Sequence, residues 1–351
     1  MIKKIKIANK FIGENQPVFI IAEAGVNHNG DLKTALRLVD AAVAAGVDAI
    51  KFQTFRAAEV VTAQGEMAAY QKKNIGKSES HLAMLKKLEL PENFYQPLIN
   101  YCRQKKIIFL STPHGGFAAV DLLQSLKVPA FKFGSGDLTN LPVLKYAAKF
   151  KKPMILGTGM ATLREAQTAI NTIKQAGNKQ IMALHCTTNY PCPLEEVNLK
   201  AMQTMAEKLA VPVGYSDHTL GIEVPIMAVT LGASIIEKHF TLDKNLSGPD
   251  HKASMEPDEL KSMVRAVRQV NKIMGSGIKN PTAKELIISK LGRKSLVSLR
   301  EIKSGEKLTR ENIGIKRPGT GLEPKYYFTV LGKTAAINIK KDVLITKKDF
   351  K

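Results

Sequence analysis

Short apolar runs alternate with amphipathic segments along the first three quarters of the chain. The apolar runs lie at 18–22, 49–52, 107–110, 130–133, 154–156, 181–184, 211–214 and 234–236. Between them apolar residues recur at helical spacing, at 32–45, 117–126, 163–176, 199–209 and 222–231. Strands that alternate with helices indicate a parallel sheet, and eight repeats within about 275 residues predict an α/β fold of the closed (β/α)8 TIM-barrel type. An open doubly wound sheet is the rival, but no G-x-G-x-x-G motif follows the first run.

The pattern changes after Lys272. Gly275-Ser-Gly277 and Pro281 interrupt it, a short helix is predicted at 285–291, and β-branched segments with turn signals follow. We therefore predict three parts, which are a catalytic barrel at 1–275, a linker at 276–290 and a small β-rich domain at 291–351. Within the barrel, the polar stretch at 56–80 is long for a connection, and loops of this length are usually lids or binding loops.

Polar side chains follow each apolar run directly. Because the active site of a TIM barrel lies at the carboxyl ends of its strands, these residues are the candidates for chemistry. In chain order they include Glu23, Lys51, Gln53, Thr112, His114, Lys132, Ser135, Asp137, Thr158, His185, Thr188, Tyr190, Ser216, His218, Glu237 and His239. We expect them to meet at one rim of the barrel.

Two lysines belong to the apolar runs themselves. Lys51 and Lys132 lie within or at the end of a run, where lysine is almost never buried without a partner. Each could pair with a barrel carboxylate. Alternatively, both face an anion in the barrel mouth. Small hydroxyls at neighbouring strand ends would then complete a phosphate or phosphate-plus-carboxylate site, and these are Thr112, Ser135, Thr158 and Ser216.

Two histidines end adjacent strands. His218 and His239 could share one divalent metal with waters completing its shell, or they could be packed or capping residues. His185 also ends a strand, and we expect it to be packed or hydrogen-bonded. Glu23 could orient a water or accept a proton, or it could form a salt bridge to Lys51.

The composition and net charge of the chain limit the kinds of partner that it can be expected to bind. The 351 residues include 52 Lys and Arg against 31 Asp and Glu, a net charge of +21, and 291–351 alone hold 15 basic against 6 acidic residues. Nucleic-acid binding has to be considered, but the lysines are mostly isolated and lack interleaved aromatic residues. We expect a solvated basic surface, no nucleic-acid partner and no membrane partner.

Three scattered cysteines, Cys102, Cys186 and Cys192, predict a reduced, cytoplasmic protein without cysteine nucleophiles.

An ordered set of motifs resembles one known family, the sialic acid synthases. The motifs span nearly the whole chain, and they are Ile21-Ala-Glu-Ala-Gly-Val-Asn-His-Asn-Gly30, Lys51-Phe-Gln-Thr54, Leu110-Ser-Thr-Pro113, Lys132-Phe-Gly-Ser-Gly136, Thr158-Gly-Met160, His185-Cys-Thr187, Tyr190-Pro191, Gly214-Tyr-Ser-Asp-His-Thr219, Glu237-Lys-His-Phe240 and Gly248-Pro-Asp250. The tail, with Lys316-Arg-Pro-Gly-Thr-Gly321, is similar to the family's C-terminal antifreeze-like (SAF) domain.

The resemblance implies an enzyme that condenses phosphoenolpyruvate with an N-acylated mannosamine-type sugar and releases phosphate. It implies that His218 and His239 hold a divalent ion, Mn²⁺ or Mg²⁺, and that Glu23 and Gln53 flank the reacting centre. Phosphoenolpyruvate would be bound by Lys51, Thr112, Lys132, Ser135 and Ser216. The sugar would be bound by Thr188, Tyr190, Glu237, Asp250 and Arg317. The family resemblance further implies a domain-swapped homodimer, in which Arg317 reaches the barrel of the partner.

Several positions depart from the family pattern. Gly157 replaces a common Ser, Asp137 a common Glu, His114 a common Phe and Thr188 an Asn that contacts the sugar in some members. The first expectation is an N-acetylneuraminate synthase that uses N-acetylmannosamine, and the alternative is an N,N'-diacetyllegionaminate synthase that uses 2,4-diacetamido-2,4,6-trideoxymannose. Pseudaminic acid synthases rank lower because Gly248-Pro-Asp-His251 is more typical of the other two branches.

Two other classes of function remain as alternatives. A metal-dependent hydrolase or isomerase on the same barrel would want three or more His or Asp ligands at strand ends, and would not need two lysines there. Ice binding through the tail is disfavoured because ice-binding faces are flat and weakly charged, whereas this tail is strongly basic.

Overall fold

The computed structural model describes residues 4–75 and 79–351, without the side chain of Lys73. The chain forms two compact units, Met1–Gly275 and Ser276–Lys351. Within the part of the chain that is described, no helix is long and apolar enough to cross a membrane.

The first unit is built on an eight-stranded parallel sheet. Its strands are β3 (Phe19–Gly25), β4 (Ala49–Thr54), β5 (Ile108–Pro113), β6 (Phe131–Phe133), β7 (Met154–Gly157), β8 (Ile181–His185), β9 (Val213–Asp217) and β10 (Ile235–His239). Their order in the sheet is β5-β4-β3-β10-β9-β8-β7-β6. The edge strands β5 and β6 pack against each other, so the sheet curls into a nearly closed barrel. The predicted barrel is confirmed, and each predicted apolar run contributes to one strand.

Helices surround the sheet and cover its outer face. They are α1 (Leu32–Ala45), α2 (Ala57–Val60), α3 (Ala69–Ile75), α4 (His81–Leu88), α5 (Glu92–Gln104), α6 (Gly116–Ser125), α7 (Leu141–Ala148), α8 (Leu163–Gln175), α9 (Lys200–Leu209), α10 (Glu223–Thr230) and α11 (Pro257–Met274). The apolar stripes of α1 and of α5 to α11 form one core with the outward-facing residues of the strands.

Helix α1 shows how local sequence sets an element. It begins after Asp31, whose carboxylate accepts a hydrogen bond from the Thr34 amide at 2.7 Å. It ends at Gly46, which adopts the left-handed conformation with φ of 80°. The buried face carries Leu38 and Val39 at the spacing expected of an amphipathic helix.

The amino ends of the barrel strands are closed by a hairpin that the sequence analysis missed. Strands β1 (Ile5–Ile7) and β2 (Lys10–Ile12) pair antiparallel. Ile5, Ile7 and Ile12 pack against inward-facing strand residues in a second apolar cluster. Because this end is plugged by apolar side chains, the opposite, carboxyl end is the one available to polar chemistry.

The stretch at 56–80, predicted as a loop, contains the short helices α2 and α3. Met67 in this stretch packs with Met84 and Leu88 of α4 against Val26 and Phe55, which forms a small separate core. The segment is therefore tied to the carboxyl end of the barrel by buried apolar contacts.

The second unit has its own core around a short antiparallel pair. It contains α12 (Ala283–Gly292), β11 (Ser295–Ser298), β12 (Ile313–Lys316) and α13 (Tyr327–Val330). Further isolated antiparallel bridges, such as Ile302 with Ile339, connect its loops. The β-rich character predicted for 291–351 is confirmed, and α12 begins before the predicted boundary at residue 291.

Candidate active site

A cavity of about 150 Å³ opens at the carboxyl ends of the strands. Its walls contain twelve of the fourteen residues to which the family resemblance gives a role, and these are Glu23, Lys51, Gln53, Thr112, Lys132, Ser135, Thr188, Tyr190, Ser216, His218, Glu237 and His239. His114, Gly157, Met160 and Cys186 also line it. Asp250 and Arg317 are not among the lining residues.

The register of the parallel strands places these side chains side by side. His239 pairs with Glu23, and Glu23 pairs with Lys51 on the next strand. Gln53 lies opposite Thr112 on β5. Successive side chains in a strand point to opposite faces, so residues two apart, such as Lys51 and Gln53, both face the barrel interior.

Two lysines and two glutamates form a buried cluster in the cavity. Lys51 Nζ lies 2.6 Å from Glu23 Oε2, 3.7 Å from Glu237 Oε1 and 3.0 Å from Thr112 Oγ1. Lys132 Nζ lies 3.0 Å from the same Glu237 oxygen. The two interpretations of the lysines are therefore compatible, because each lysine pairs with a carboxylate and still faces the cavity.

The two carboxyl groups of this cluster differ in their pKa. Burial, with a smaller contribution from nearby Glu237, raises the pKa of Glu23 to about 7 against the opposing effect of Lys51. Burial alone would also raise the pKa of Glu237, but the ammonium groups of Lys132 and Lys51 outweigh it and lower that pKa to about 2. Near neutral pH, Glu237 is ionised and Glu23 can exchange a proton, which is the condition for acid–base chemistry.

A third buried lysine lies on the side of the sheet that faces away from the cavity. Lys238 is adjacent to Glu237 in sequence and therefore faces the other side of the sheet. Its ammonium group lies 2.5 Å from Asp217 Oδ2 and also donates to the Thr219 carbonyl. This ion pair is structural. Because side chains alternate between the two faces along β10, Lys238 faces away from the barrel interior, whereas its neighbours Glu237 and His239 face into it.

His218 and His239 lie together in the cavity, with ring centroids 5.5 Å apart. Burial lowers the pKa of His218 to about 4 and that of His239 well below its usual value, so both rings are neutral near pH 7. His218 Nδ1 lies 2.6 Å from the Thr187 carbonyl, which leaves Nε2 with its lone pair free for a ligand. His239 Nδ1 is buried without a hydrogen-bond partner among the residues that the structure describes.

These observations fit a divalent ion held by two imidazoles. Neutral histidines are suitable ligands, and metal-binding histidines typically have their other ring nitrogen hydrogen-bonded to a carbonyl, which fixes the tautomer. Among residues 4–75 and 79–351, no group of three or more His, Cys, Asp or Glu side chains is arranged around one metal position. Water or substrate would therefore complete the coordination shell.

Aromatic rings form one wall of the cavity. The Tyr190 ring lies 4.1 Å from that of His218, and the Tyr70 ring on α3 lies 5.1 Å from Tyr190. Asp250 is buried near both tyrosines, and burial raises its pKa to about 6. Thr188 Oγ1 is buried here, and within residues 4–75 and 79–351 it has no hydrogen-bond partner.

Sequence reasoning missed the contact of α3 with Tyr190 in this wall. Asn74 on α3 donates a hydrogen bond to the Pro249 carbonyl at 2.7 Å, which ties the helix to the loop that carries Asp250. Tyr70 and Asn74 follow no apolar run, so the strand-end rule could not find them. The length of the 56–80 segment was the one available signal.

Other residues of the signature motifs are structural. Asn27 donates to the Phe240 carbonyl at 2.8 Å, and His28 Nδ1 accepts the Gly30 amide at 3.0 Å. His185 hydrogen-bonds the Val197 carbonyl at 2.8 Å. The residue types of these motifs therefore serve the packing of the barrel rim as well as its chemistry.

Two positions that the sequence analysis expects to depart from the family pattern contact each other. His114 Nδ1 lies 2.9 Å from Asp137 Oδ2 at the edge of the cavity. At a third departure, a Cβ added to Gly157 would lie 3.3 Å from the Ser135 amide, so a larger residue there would crowd the Ser135 turn. Arg317 belongs to the second unit, and its expected contact with a partner's barrel stays a prediction.

Comparison with protein families gives two matches in order along the chain. Residues 38–279 match the NeuB family, and residues 293–351 match the SAF domain. These matches cover most of the barrel unit and most of the second unit.

Comparison with individual proteins indicates the same family. The chain is 49% identical to the N,N'-diacetyllegionaminic acid synthase of Campylobacter jejuni, over 93% of this chain and 98% of that protein. It is 46% identical to the protein of the same name from Legionella pneumophila, over 93% of each chain. The N-acetylneuraminic acid synthetase of Leptospira borgpetersenii, solved with citrate, superposes with a TM-score of 0.72 at 36% identity, over 82% of this chain and 95% of that one. The chain therefore belongs to the NeuB family of sialic-acid-type synthases and carries a SAF domain at its C-terminus.

Proposed function

We propose that this enzyme condenses phosphoenolpyruvate with the open-chain form of an N-acylated amino sugar and releases inorganic phosphate. The observation that carries the proposal is the convergence of Lys51, Lys132 and the two imidazoles of His218 and His239 in one small cavity. The lysines suit an anionic phosphate ester and the imidazoles suit a divalent ion. A hydrolase that relies on a metal alone would have no use for the lysines.

The proposed binding of phosphoenolpyruvate follows from the contacts of the cluster. The ammonium groups of Lys51 and Lys132 are desolvated and already hydrogen-bonded to acceptors, so an entering phosphate or carboxylate replaces part of those contacts without loss of charge pairing. Thr112, Ser135 and Ser216 add neutral hydroxyl donors around the same cavity.

The proposed reaction forms a carbon–carbon bond between the two substrates, consumes one water and releases phosphate. C3 of phosphoenolpyruvate bonds to the aldehyde carbon of the sugar, and water adds to C2. The tetrahedral intermediate then loses phosphate by cleavage of the C2–O bond. His218 and His239 would hold Mn²⁺ or Mg²⁺, which when bound supplies a Lewis acid for the aldehyde oxygen. Glu23, beside Gln53 at 3.4 Å, is placed to exchange the proton of the attacking water.

The sugar that we propose is 2,4-diacetamido-2,4,6-trideoxymannose, which gives N,N'-diacetyllegionaminic acid. Support comes from the two relatives of that name at 49% and 46% identity. N-Acetylmannosamine, which the sequence analysis placed first, is the second candidate, supported by the likeness to the Leptospira enzyme. In both cases the sugar would lie along Tyr190, Thr188, Glu237 and Asp250.

A phosphate-release assay tests the proposal. The enzyme is given phosphoenolpyruvate and Mn²⁺ with each sugar in turn, and kcat/KM is compared. We expect release that depends on the sugar and is most efficient with the diacetamido trideoxy sugar. Greater efficiency with N-acetylmannosamine would select the second candidate, and no sugar-dependent release with either would contradict the proposed reaction.

A further inference from the structure

The barrel has one seam without ladder hydrogen bonds. The sheet order starts at β5 and ends at β6, and in the described part of the chain no ladder joins these two strands. Each other pair of neighbouring strands is held in register by main-chain hydrogen bonds. At the seam, side-chain contacts have to set the separation of the strand ends.

The seam divides the proposed phosphoenolpyruvate site. Thr112 belongs to β5, whereas Lys132 and Ser135 lie on and just after β6. In the interior of the cavity, the two sides are linked through Lys51 and Glu237. Those contacts rearrange when the ammonium groups turn to an entering anion, so they cannot fix the spacing of the donors around it.

His114 and Asp137 span the seam beside the cavity. His114 directly follows β5, and its amide hydrogen-bonds the Thr112 and Thr54 carbonyls at 3.0 Å each. Asp137 ends the single turn Ser135–Asp137 that follows β6. The 2.9 Å contact between His114 Nδ1 and Asp137 Oδ2 therefore joins the two strand ends.

Gly134 makes room for this contact. A Cβ added there would lie 2.9 Å from His114 Cε1, closer than real contacts allow. The imidazole thus lies against the backbone that leads into Ser135. Because Nδ1 is used by Asp137, the ring is fixed next to the serine whose hydroxyl we place on the phosphate.

We propose that His114 and Asp137 are a positioning pair, which holds the ends of β5 and β6 at the spacing that lets Thr112 and Ser135 bind one phosphate group together. The inference rests on the proposed function and extends it to two residues at which this chain departs from its family's pattern. Donors displaced by about 1 Å bind their ligand much less well, so a contact at the edge of the cavity can control affinity within it.

Isosteric substitutions of His114 separate this role from direct contact with substrate. In His114→Asn, the amide nitrogen occupies the place of Nδ1 and can still donate to Asp137. In His114→Gln, it reaches the place of Nε2 instead. His114→Phe keeps a ring without either nitrogen. We expect His114→Phe and Asp137→Ala to raise the KM for phosphoenolpyruvate and the dissociation constant of inorganic phosphate about tenfold, the effect of one hydrogen bond. The KM for the sugar should not change.

The conservative variant supplies the decisive comparison. His114→Asn should restore both constants to near those of the unsubstituted enzyme, and His114→Gln should not. Loss of both partners, in His114→Phe with Asp137→Ala, should cost no more than either single change. Unchanged phosphate binding in His114→Phe would overturn the proposal, as would rescue by Gln rather than Asn.

The phosphate measurement also separates this inference from the proposed reaction. Calorimetric titration with inorganic phosphate needs no sugar, so it tests the pair even if no sugar supports turnover. An unsubstituted enzyme that binds no phosphate would overturn the positioning role. Should His114→Phe fail to fold, the comparison of His114→Asn with His114→Gln decides the question alone.

Discussion

Lys132 on β6 and Glu237 on β10 are joined across the barrel mouth by a 3.0 Å hydrogen bond, although their strands are not neighbours in the sheet. Glu237 also accepts a hydrogen bond from Ser216 at 3.1 Å and lies 3.7 Å from Lys51. One carboxylate therefore organises three of the groups that we assign to phosphoenolpyruvate. Removal of either lysine changes both the charge and the geometry of the site.

We predict that Lys132→Met impairs phosphoenolpyruvate use strongly. A charge-assisted hydrogen bond contributes about 1.5–3 kcal/mol, so the KM for phosphoenolpyruvate should rise by about ten- to a hundredfold. The substitution also leaves Glu237 with one ammonium partner fewer in a buried place, and thermal unfolding should shift to lower temperature. Initial rates of phosphate release and a thermal melt measure the two effects.

Lys152→Met is the matched control for this change. The ammonium group of Lys152 lies 5.4 Å from the Phe131 ring centroid, and the residue precedes β7 at the opposite end of the barrel. The control should leave the KM for phosphoenolpyruvate unchanged. Equal effects of the two substitutions would show that Lys132 acts through general stability rather than through the substrate.

Loss of a metal ligand should weaken the binding of Mn²⁺ itself, and this effect can be measured without turnover. We predict that His218→Asn and His239→Asn each raise the dissociation constant of Mn²⁺ at least about tenfold, since even loss of an outer-shell partner costs about 10- to 100-fold. Electron paramagnetic resonance of free Mn²⁺ measures the constant without substrate. His81→Gln on α4, outside the cavity, is the control, and equal binding by all variants would place the metal elsewhere.

Removal of the metal gives a related prediction. A chelator should abolish phosphate release from the unsubstituted enzyme, and added Mn²⁺ or Mg²⁺ should restore it, because the aldehyde then regains its Lewis acid. Full activity after exhaustive dialysis against a chelator would contradict the role that we assign to His218 and His239.

Two buried histidines away from the cluster predict acid sensitivity of the fold. Burial lowers the pKa of His28 and of His251 from 6.5 to about 4 in each case. Between these values the unfolded state binds the protons and the folded state does not. Their contribution to stability is therefore complete above pH 6.5 and is lost as the pH falls towards 4.

Urea denaturation at several pH values between 7.5 and 4.5 measures this loss. We expect the free energy of unfolding to fall by about 1 kcal/mol or more for each histidine, in addition to the effect of other groups. His251→Asn keeps a group near Thr241, whose hydroxyl lies 2.7 Å from His251 Nδ1, and should make the dependence on pH less steep. An identical slope in this variant would contradict the assignment.

The domain-swapped dimer can be tested by complementation. If Arg317 acts on the barrel of the partner, a mixed dimer of Lys51→Met and Arg317→Ala chains has one intact site, made from the Arg317→Ala barrel and the Arg317 of the other chain. Co-expression with two affinity tags should then recover activity that neither homodimer has. If Arg317 acts within its own chain or on no substrate, mixing gives no recovery.

Much of the site could be predicted from the sequence because the carboxyl ends of successive strands in a parallel barrel lie around one rim. An apolar run predicts a strand, and the polar residues that follow it lie at its carboxyl end, as Glu23, Lys51 and His239 do. Period-two alternation adds the direction of each side chain and separates Lys51 from the structural Lys238. The residues outside this rule, Tyr70 on α3 among them, were missed because nothing in their local sequence fixes where α3 packs.

The sequence by itself determined the barrel, the β-rich tail and the strand-end residues, because periodicity and strand ends are local properties of the chain. The tertiary structure alone decided which charges meet. It joined Lys132 to Glu237 across the cavity, left His239 Nδ1 without a partner in the described part of the chain and brought His114 against Asp137 at the seam. These contacts depend on how far the sheet curls and on which edge strands come together, and both are set by the packing of the whole barrel rather than by any one segment.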